Sequence, residues 1–285
     1  MKRFAKLTRR APSGLLDYHR RWPLRLVMVA TLIFLYAPVV ALMAFSFNDS
    51  KRNIVWHGFT LKYYEKLFAN TELMQAFANS LTIAFFSTLI SVLLGTLAAI
   101  ALWRFKFPGQ RLYEGVMAMP IVIPEICMGI AMMAFMARTG WPQDLIWPLN
   151  LGAIMIAHVA FSFPFAAIVI RARLESFNRQ LADAARDLGA SEFHVFRDIL
   201  FPHLSPALLA GGLLAFTLSL DDFVITFFTS GPNSVTFPVK IYSMVRFSVT
   251  PEVNAASTIL IAMTIGLTAI GLRLHYRSQF QETAK

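Results

Sequence analysis

Residues 181–202 read Leu181-Ala-Asp-Ala-Ala-Arg-Asp-Leu-Gly-Ala-Ser-Glu-Phe-His-Val-Phe-Arg-Asp-Ile-Leu-Phe-Pro202. Leu181, Ala184, Ala185 and Leu188 follow the i, i+3, i+4, i+7 spacing of an amphipathic helix, with Arg179, Asp183, Arg186 and Asp187 on the rest of its surface. Gly189 suits the left-handed conformation that closes a helix. Ser191 then offers an N-cap oxygen, with Glu192 in the first turn that follows. Phe193, Phe196, Ile199 and Leu200 make a second apolar stripe, and Pro202 and Pro206 bracket the entry to a long apolar run. The stretch predicts a bent pair of surface helices.

Its surroundings are apolar. Residues of types A, V, I, L, M, F, W, Y and C make up 56% of the chain and charged residues only 15%, with a positive mean hydropathy; a soluble domain carries far more charge. About six windows are long enough to cross a bilayer: 24–47, 77–102, 112–137, 149–170, 205–229 and 253–274. Each approaches the roughly 20 residues that a helix rising about 1.5 Å per residue needs to cross about 30 Å of hydrocarbon. The fold class is therefore all-α membrane protein, with a basic segment 1–23, a transmembrane domain 24–274 interrupted by the polar loop 171–204, and a tail 275–285.

Charge sets the expected orientation. The chain has 26 Lys and Arg against 16 Asp and Glu, a formal +10. Of the 26, 19 lie in residues 1–25, the 103–111 turn, the 171–204 loop and residues 273–285, and 7 on the other face. That asymmetry places both termini and the loop in the cytoplasm. The basic pI is thus an orientation signal, with anionic lipid rather than nucleic acid as the neighbour. The 24–47 window exceeds an ordinary signal-peptide core and is read as a retained first helix. The lone Cys127 allows no intrachain disulfide, and with no His/Cys cluster no zinc site is expected. Trp22, Trp56, Trp103, Trp141 and Trp147 fall near helix ends, as an interfacial belt would. The 48–76 segment, with Trp56, Phe59, Tyr63, Tyr64, Leu67 and Phe68, reads as an interfacial helix.

Candidate site residues are acids inside these windows. A charged side chain at mid-bilayer costs about 2.5–3.5 kcal/mol, so such residues face a cavity or a partner. Asp221 and Asp222 lie about 23 Å along a helix from Pro206, in the outer half of the bilayer. Adjacent helical residues point about 100° apart, so one of the two faces a cavity while the other turns toward a neighbour or a capping donor such as Ser219 or Thr226. Glu125 follows Pro120 and Pro124, which remove backbone donors and distort the helix there. His158, midway down the fourth window, suits helix–helix glue and is also included with the acids as a pathway candidate. No Lys or Arg lies mid-membrane to neutralise the acids, which leaves a passing cation as their counter-ion. With Phe223, Phe161, Phe163 and Trp147 nearby in sequence, the set suits a linear organic cation.

Two resemblances narrow the function. Asp183-Ala184-Ala185, three residues, Gly189, nine residues, Ile199 and Pro202 resemble the EAA loop of ABC importer permeases, with Asp for Glu at 183 and Phe for Leu at 201. The series Leu213 to Phe223, Thr229-Ser-Gly-Pro232, Pro238 to Arg246 and Pro251 to Ile259, with Leu35-Tyr-Ala-Pro38 and Ser46-Phe-Asn48, is similar to the permeases of bacterial spermidine/putrescine importers. The resemblance implies the type I ABC importer permease fold, in the bacterial inner membrane, pairing with a second homologous permease. It further implies two ATPase subunits docked on the coupling loop and a periplasmic binding protein delivering the cargo. Asp183, Ala184, Ala185, Gly189, Ile199 and Pro202 would couple to the ATPase; Asp221, Asp222, Glu125, Phe223, Trp147 and His158 would line the cation path. No G-x-x-x-x-G-K-[ST] phosphate loop occurs in the chain, so no cofactor is expected here, ATP and magnesium being bound by the partner.

Other readings stay open at this point. One is an ABC permease for another amine, an amino-acid derivative or thiamine; another is a cation-coupled secondary transporter, although no internal repeat builds two halves around a site. An intramembrane aspartyl hydrolase needs two carboxylates sharing a proton across a cleft, which adjacent residues on one helix do not give.

Overall fold

The computed structural model describes residues 22–50, 55–140, 149–231, 234–247 and 251–283. The expectations for residues 1–21, Trp141 and Trp147 lie outside them. The elements run α1 (Trp22–Phe45), α2 (Lys62–Ala69), α3 (Thr71–Arg104), α4 (Gln110–Val122), α5 (Glu125–Thr139), α6 (Leu149–Glu175), α7 (Arg179–Asp187), α8 (Glu192–His194), a π-helical turn (Val195–Leu200), α9 (Phe201–Leu220), α10 (Val224–Thr229), α11 (Phe237–Phe247) and α12 (Pro251–Thr283). Among the described residues, five helical stretches are long and apolar enough to cross a membrane, and the pair α4 and α5 makes a sixth.

α3, α6 and α9 pack on one another as the centre of the bundle. Small residues let them approach: Ala98, Ala99, Ala157, Ala166, Ala167 and Ala215 are all buried. In lipid, where apolar surface gains little by leaving the solvent, such close packing and interhelical hydrogen bonds hold helices together. Ser91 on α3 and Ser162 on α6 are hydrogen-bonded at 2.8 Å across this seam.

Two expected spans are broken. The 112–137 window bends by 110° between Val122 and Glu125, because Ile123, ahead of Pro124, takes an extended conformation (φ −74°, ψ 133°) that cannot continue a helix. Pro124 then caps α5. The 205–229 window stops at Leu220 and restarts as α10 at Val224. Asp221 and Asp222 therefore sit in the break, not within one continuous helix.

The 171–204 loop also differs from the expected pair of surface helices. α7 is separate, but α8 runs through the π-helical turn directly into α9, with Pro202 placed just after that π-helical turn. Gly189 has φ +86°, a left-handed conformation rarely adopted by other residues, and it turns the chain between them. Ser191 accepts from the N–H of His194 as N-cap. Arg186 fastens the turn by donating to Asp183 at 2.8 Å and to Glu192 at 2.7 Å, and Arg179 lies 4.5 Å above the Trp103 ring while donating to its carbonyl. Phe177, Ala182 and Val195 form the core beneath.

The 48–76 region is likewise not one helix. Buried Asn48 donates to the Val55 carbonyl and accepts from the His57 N–H, and Asn48 bridges to Phe59. Asn70 separates α2 from α3 and caps the latter. Leu67, Leu73, Phe237, Ala255 and Ala256 form the core at this end, while Trp56, Phe59 and Phe68 are exposed.

Candidate functional site: acids at two helix breaks

The two breaks meet. α5, which begins with Glu125, packs along α10, which begins just after Asp222. The approach is close enough that a Cβ on Gly129 would lie 2.7 Å from the Phe228 ring, so a larger residue there requires Phe228 to move. Glu125 and Asp221 are both exposed on the isolated chain, one opening α5 and the other just ahead of α10. Among the described residues neither is salt-bridged to Lys or Arg.

Asp222 lies in a different environment. Its side chain is turned inward and buried, and its Oδ2 accepts from the Thr226 N–H at 2.8 Å and the Thr226 hydroxyl at 2.7 Å, while Oδ1 takes a longer bond from the Ile225 N–H. The carboxylate thus holds the first turn of α10, which is the physical cause of the break after Leu220. His158 Nε2 is 3.3 Å from the same Oδ2. Asp222 is thus the acid that turns to a capping donor, Thr226 of the two candidates, while Asp221 is the one left exposed.

Aromatic rings line the same break. Phe223 packs in tilted contact on Tyr242 at 4.6 Å between ring centroids and on Phe227 at 5.6 Å, with Phe227 and Tyr242 about half exposed. The two outer rings were missed in the sequence because Phe227 lies in an apolar run and Tyr242 on a distant helix. Phe161 is buried against Ala157 and Ile225, a packing role, and Phe163 is packed with Ala98, Leu102 and Ala167. An acid pair beside open rings can bind an ammonium group and its methylenes together.

At the far end, the stripe of Leu181, Ala184 and Leu188 points outward; Leu188 is 89% and Phe193 64% exposed. Ala185 and Ile199 instead pack on the core of the loop. Asp183 is exposed and held by Arg186. Such an apolar patch, rimmed by Asp183 and Asp187, is a surface for a partner.

Residues 91–279 match the family described as binding-protein-dependent transport system inner membrane component. The chain is 40% identical to the spermidine/putrescine transport system permease protein PotC of Escherichia coli K12 over 238 residues, which is 84% of this chain and 88% of that protein. It is 39% identical to the putrescine transport system permease protein PotI of the same organism, over 85% of this chain and 86% of that one. A chain in the crystal structure of a bacterial ABC transporter involved in the import of the acidic polysaccharide alginate shares the fold, with a TM-score of 0.69 at 17% identity over 93% of this chain and 97% of that chain.

Proposed function

Because the chain belongs to the binding-protein-dependent transport system inner membrane component family, we propose that it carries polyamine cations from the periplasm to the cytoplasm as one half of an ATP-driven permease. It is a multi-pass inner-membrane transport component, not an enzyme. The observation that carries the cargo is the two exposed acids, Asp221 and Glu125, which have no Lys or Arg partner among the described residues, set beside Phe223, Phe227 and Tyr242 at the meeting of two broken helices. The names of the relatives similar to it point to the same chemistry.

The mechanism follows from where force enters and where charge lies. The α7 to α8 loop docks in a separate ATPase subunit, which binds ATP and magnesium; a second permease completes the pathway, and a periplasmic binding protein delivers the amine. The basic termini and the loop face the cytoplasm. ATP draws the two ATPases together, each coupling loop moves with its ATPase, and the paired permeases rock to open outward. Because α8 continues through the π-helical turn into α9, movement of the loop reaches the break that presents Asp221. The cation then pairs with Asp221 and Glu125 while its methylenes cross the rings. Return to the inward state releases it.

The test is uptake of radiolabelled putrescine and spermidine into proteoliposomes holding the assembled complex, with ATP inside and loaded binding protein outside. ATP-dependent uptake of either amine is expected. Uptake of thiamine or an amino acid with no amine transport, or amine uptake driven by a proton gradient without ATP, would overturn the proposal.

A further inference from the structure

A continuous chain of hydrogen bonds runs behind the Asp221 break. Ser87 of α3 donates to Ser219 of α9 at 2.9 Å. Ser219 is 2.7 Å from Nδ1 of His158 on α6, whose Nε2 is 2.9 Å from the Thr226 hydroxyl of α10. That hydroxyl donates to Asp222 at 2.7 Å. All five side chains are buried. The donors order themselves along the chain. Thr226 spends its proton on Asp222, so its oxygen accepts from Nε2–H; Ser219 accepts from Ser87, so its own proton goes to Nδ1. Neutral His158 with the proton on Nε2 satisfies every atom, and the four helices α3, α6, α9 and α10 are joined at one imidazole.

We infer that His158 is a positioning residue for Asp221: through Thr226 it keeps Asp222 turned inward, and that fixes the neighbouring carboxylate outward, toward the cation. Asp222 is held by α10 and by His158 on the inside, and consecutive side chains cannot both point there, which is why Asp221 is exposed while Asp222 is not. His158 touches no cargo on this account. It works on the break alone. The inference rests on the proposed function only for its effect on transport.

The experiment reads the break directly. In the full complex, with exposed Cys127 replaced (Cys127→Ser), Asp221→Cys gives this chain a single thiol, and its labelling by a cationic methanethiosulfonate reagent, read on this subunit after the complex is separated, reports its orientation. Adding His158→Leu should slow labelling per assembled complex about tenfold, the change expected when the outward state falls from dominant to minor. His158→Gln, which presents an acceptor and an N–H where the imidazole did, should restore it. Thr226→Val keeps the volume, removes the hydroxyl between His158 and Asp222, and should slow labelling in the same direction, so the test does not depend on His158→Leu assembling. With Asp221 intact, the same His158→Leu complex should lose putrescine uptake while its basal ATP hydrolysis is unchanged, a split that a loss of folding does not produce. Labelling equal to the parent in both His158→Leu and Thr226→Val overturns the inference. A parent complex that loses labelling in these variants yet never takes up putrescine contradicts the cargo and leaves the positioning role standing.

Discussion

A carboxylate in a membrane is tolerated when something offsets a cost of about 2.5–3.5 kcal/mol, and Asp221 and Asp222 meet that cost in different ways. Asp222 uses groups of its own chain: two backbone N–H donors, the Thr226 hydroxyl and His158. Removing it by Asp222→Ala leaves the Thr226 N–H and hydroxyl buried without their acceptor, a loss of about 1–3 kcal/mol. The expected outcome is a fall in assembled complex and in its thermal midpoint. Asp221→Asn touches none of these partners, so assembly and midpoint should stay within experimental scatter while amine uptake drops. A drop in assembly for Asp221→Asn, measured by copurification with the partner permease, would contradict the division. The sequence led to the expectation that one acid of the pair turns toward a neighbouring helix or a capping donor such as Ser219 or Thr226. Which acid turned was not readable, because that depends on where α9 stops and α10 begins, and on the bonds Asp222 makes to α10 once the chain is folded.

The helices teach the same lesson through their breaks. Pro124 announced its break in the sequence, since a residue before proline avoids the helical region. The break at Asp221 gave no such signal: residues 213–229 hold neither Gly nor Pro, and an acid holding two N–H donors is visible only once the chain is folded. In the loop, Gly189 was legible from the stop signal it carries, whereas the continuity of α8 with α9 was not, because Pro202 reads as a breaker yet follows the π-helical turn inside one continuous helical stretch. Gly189→Val forces a β-branched residue into the left-handed region at a cost of about 1–2 kcal/mol, and it should let ATP hydrolysis continue while uptake per ATP falls. Gly129→Leu would push α5 off α10 against Phe228, separating Glu125 from Asp221. Uptake should fall sharply there with the ATPase untouched, and unchanged uptake would remove the meeting of the two breaks from the mechanism.

The whole chain is built to be completed by others. α1 has no buried residue and leans only on α12 among the neighbours with substantial contact, so most of its surface is left for lipid or a second subunit. The exposed acids and rings occupy a face open in the isolated chain, which on the proposed function becomes a pathway when a second permease closes it. The six windows and the basic asymmetry were legible because both follow from the bilayer as solvent; the pathway was not, since on that proposal half of its wall belongs to another polypeptide. The account stands or falls on whether the open acids carry the cargo's charge. Its most direct test is the initial rate of ATP-dependent radiolabelled putrescine uptake by the assembled complex carrying Asp221→Asn together with Glu125→Gln. The account predicts a fall of at least about tenfold, equivalent to about 1.4 kcal/mol of lost stabilisation of the passing cation, with basal ATP hydrolysis retained. Uptake at the parent rate in that double variant would contradict it.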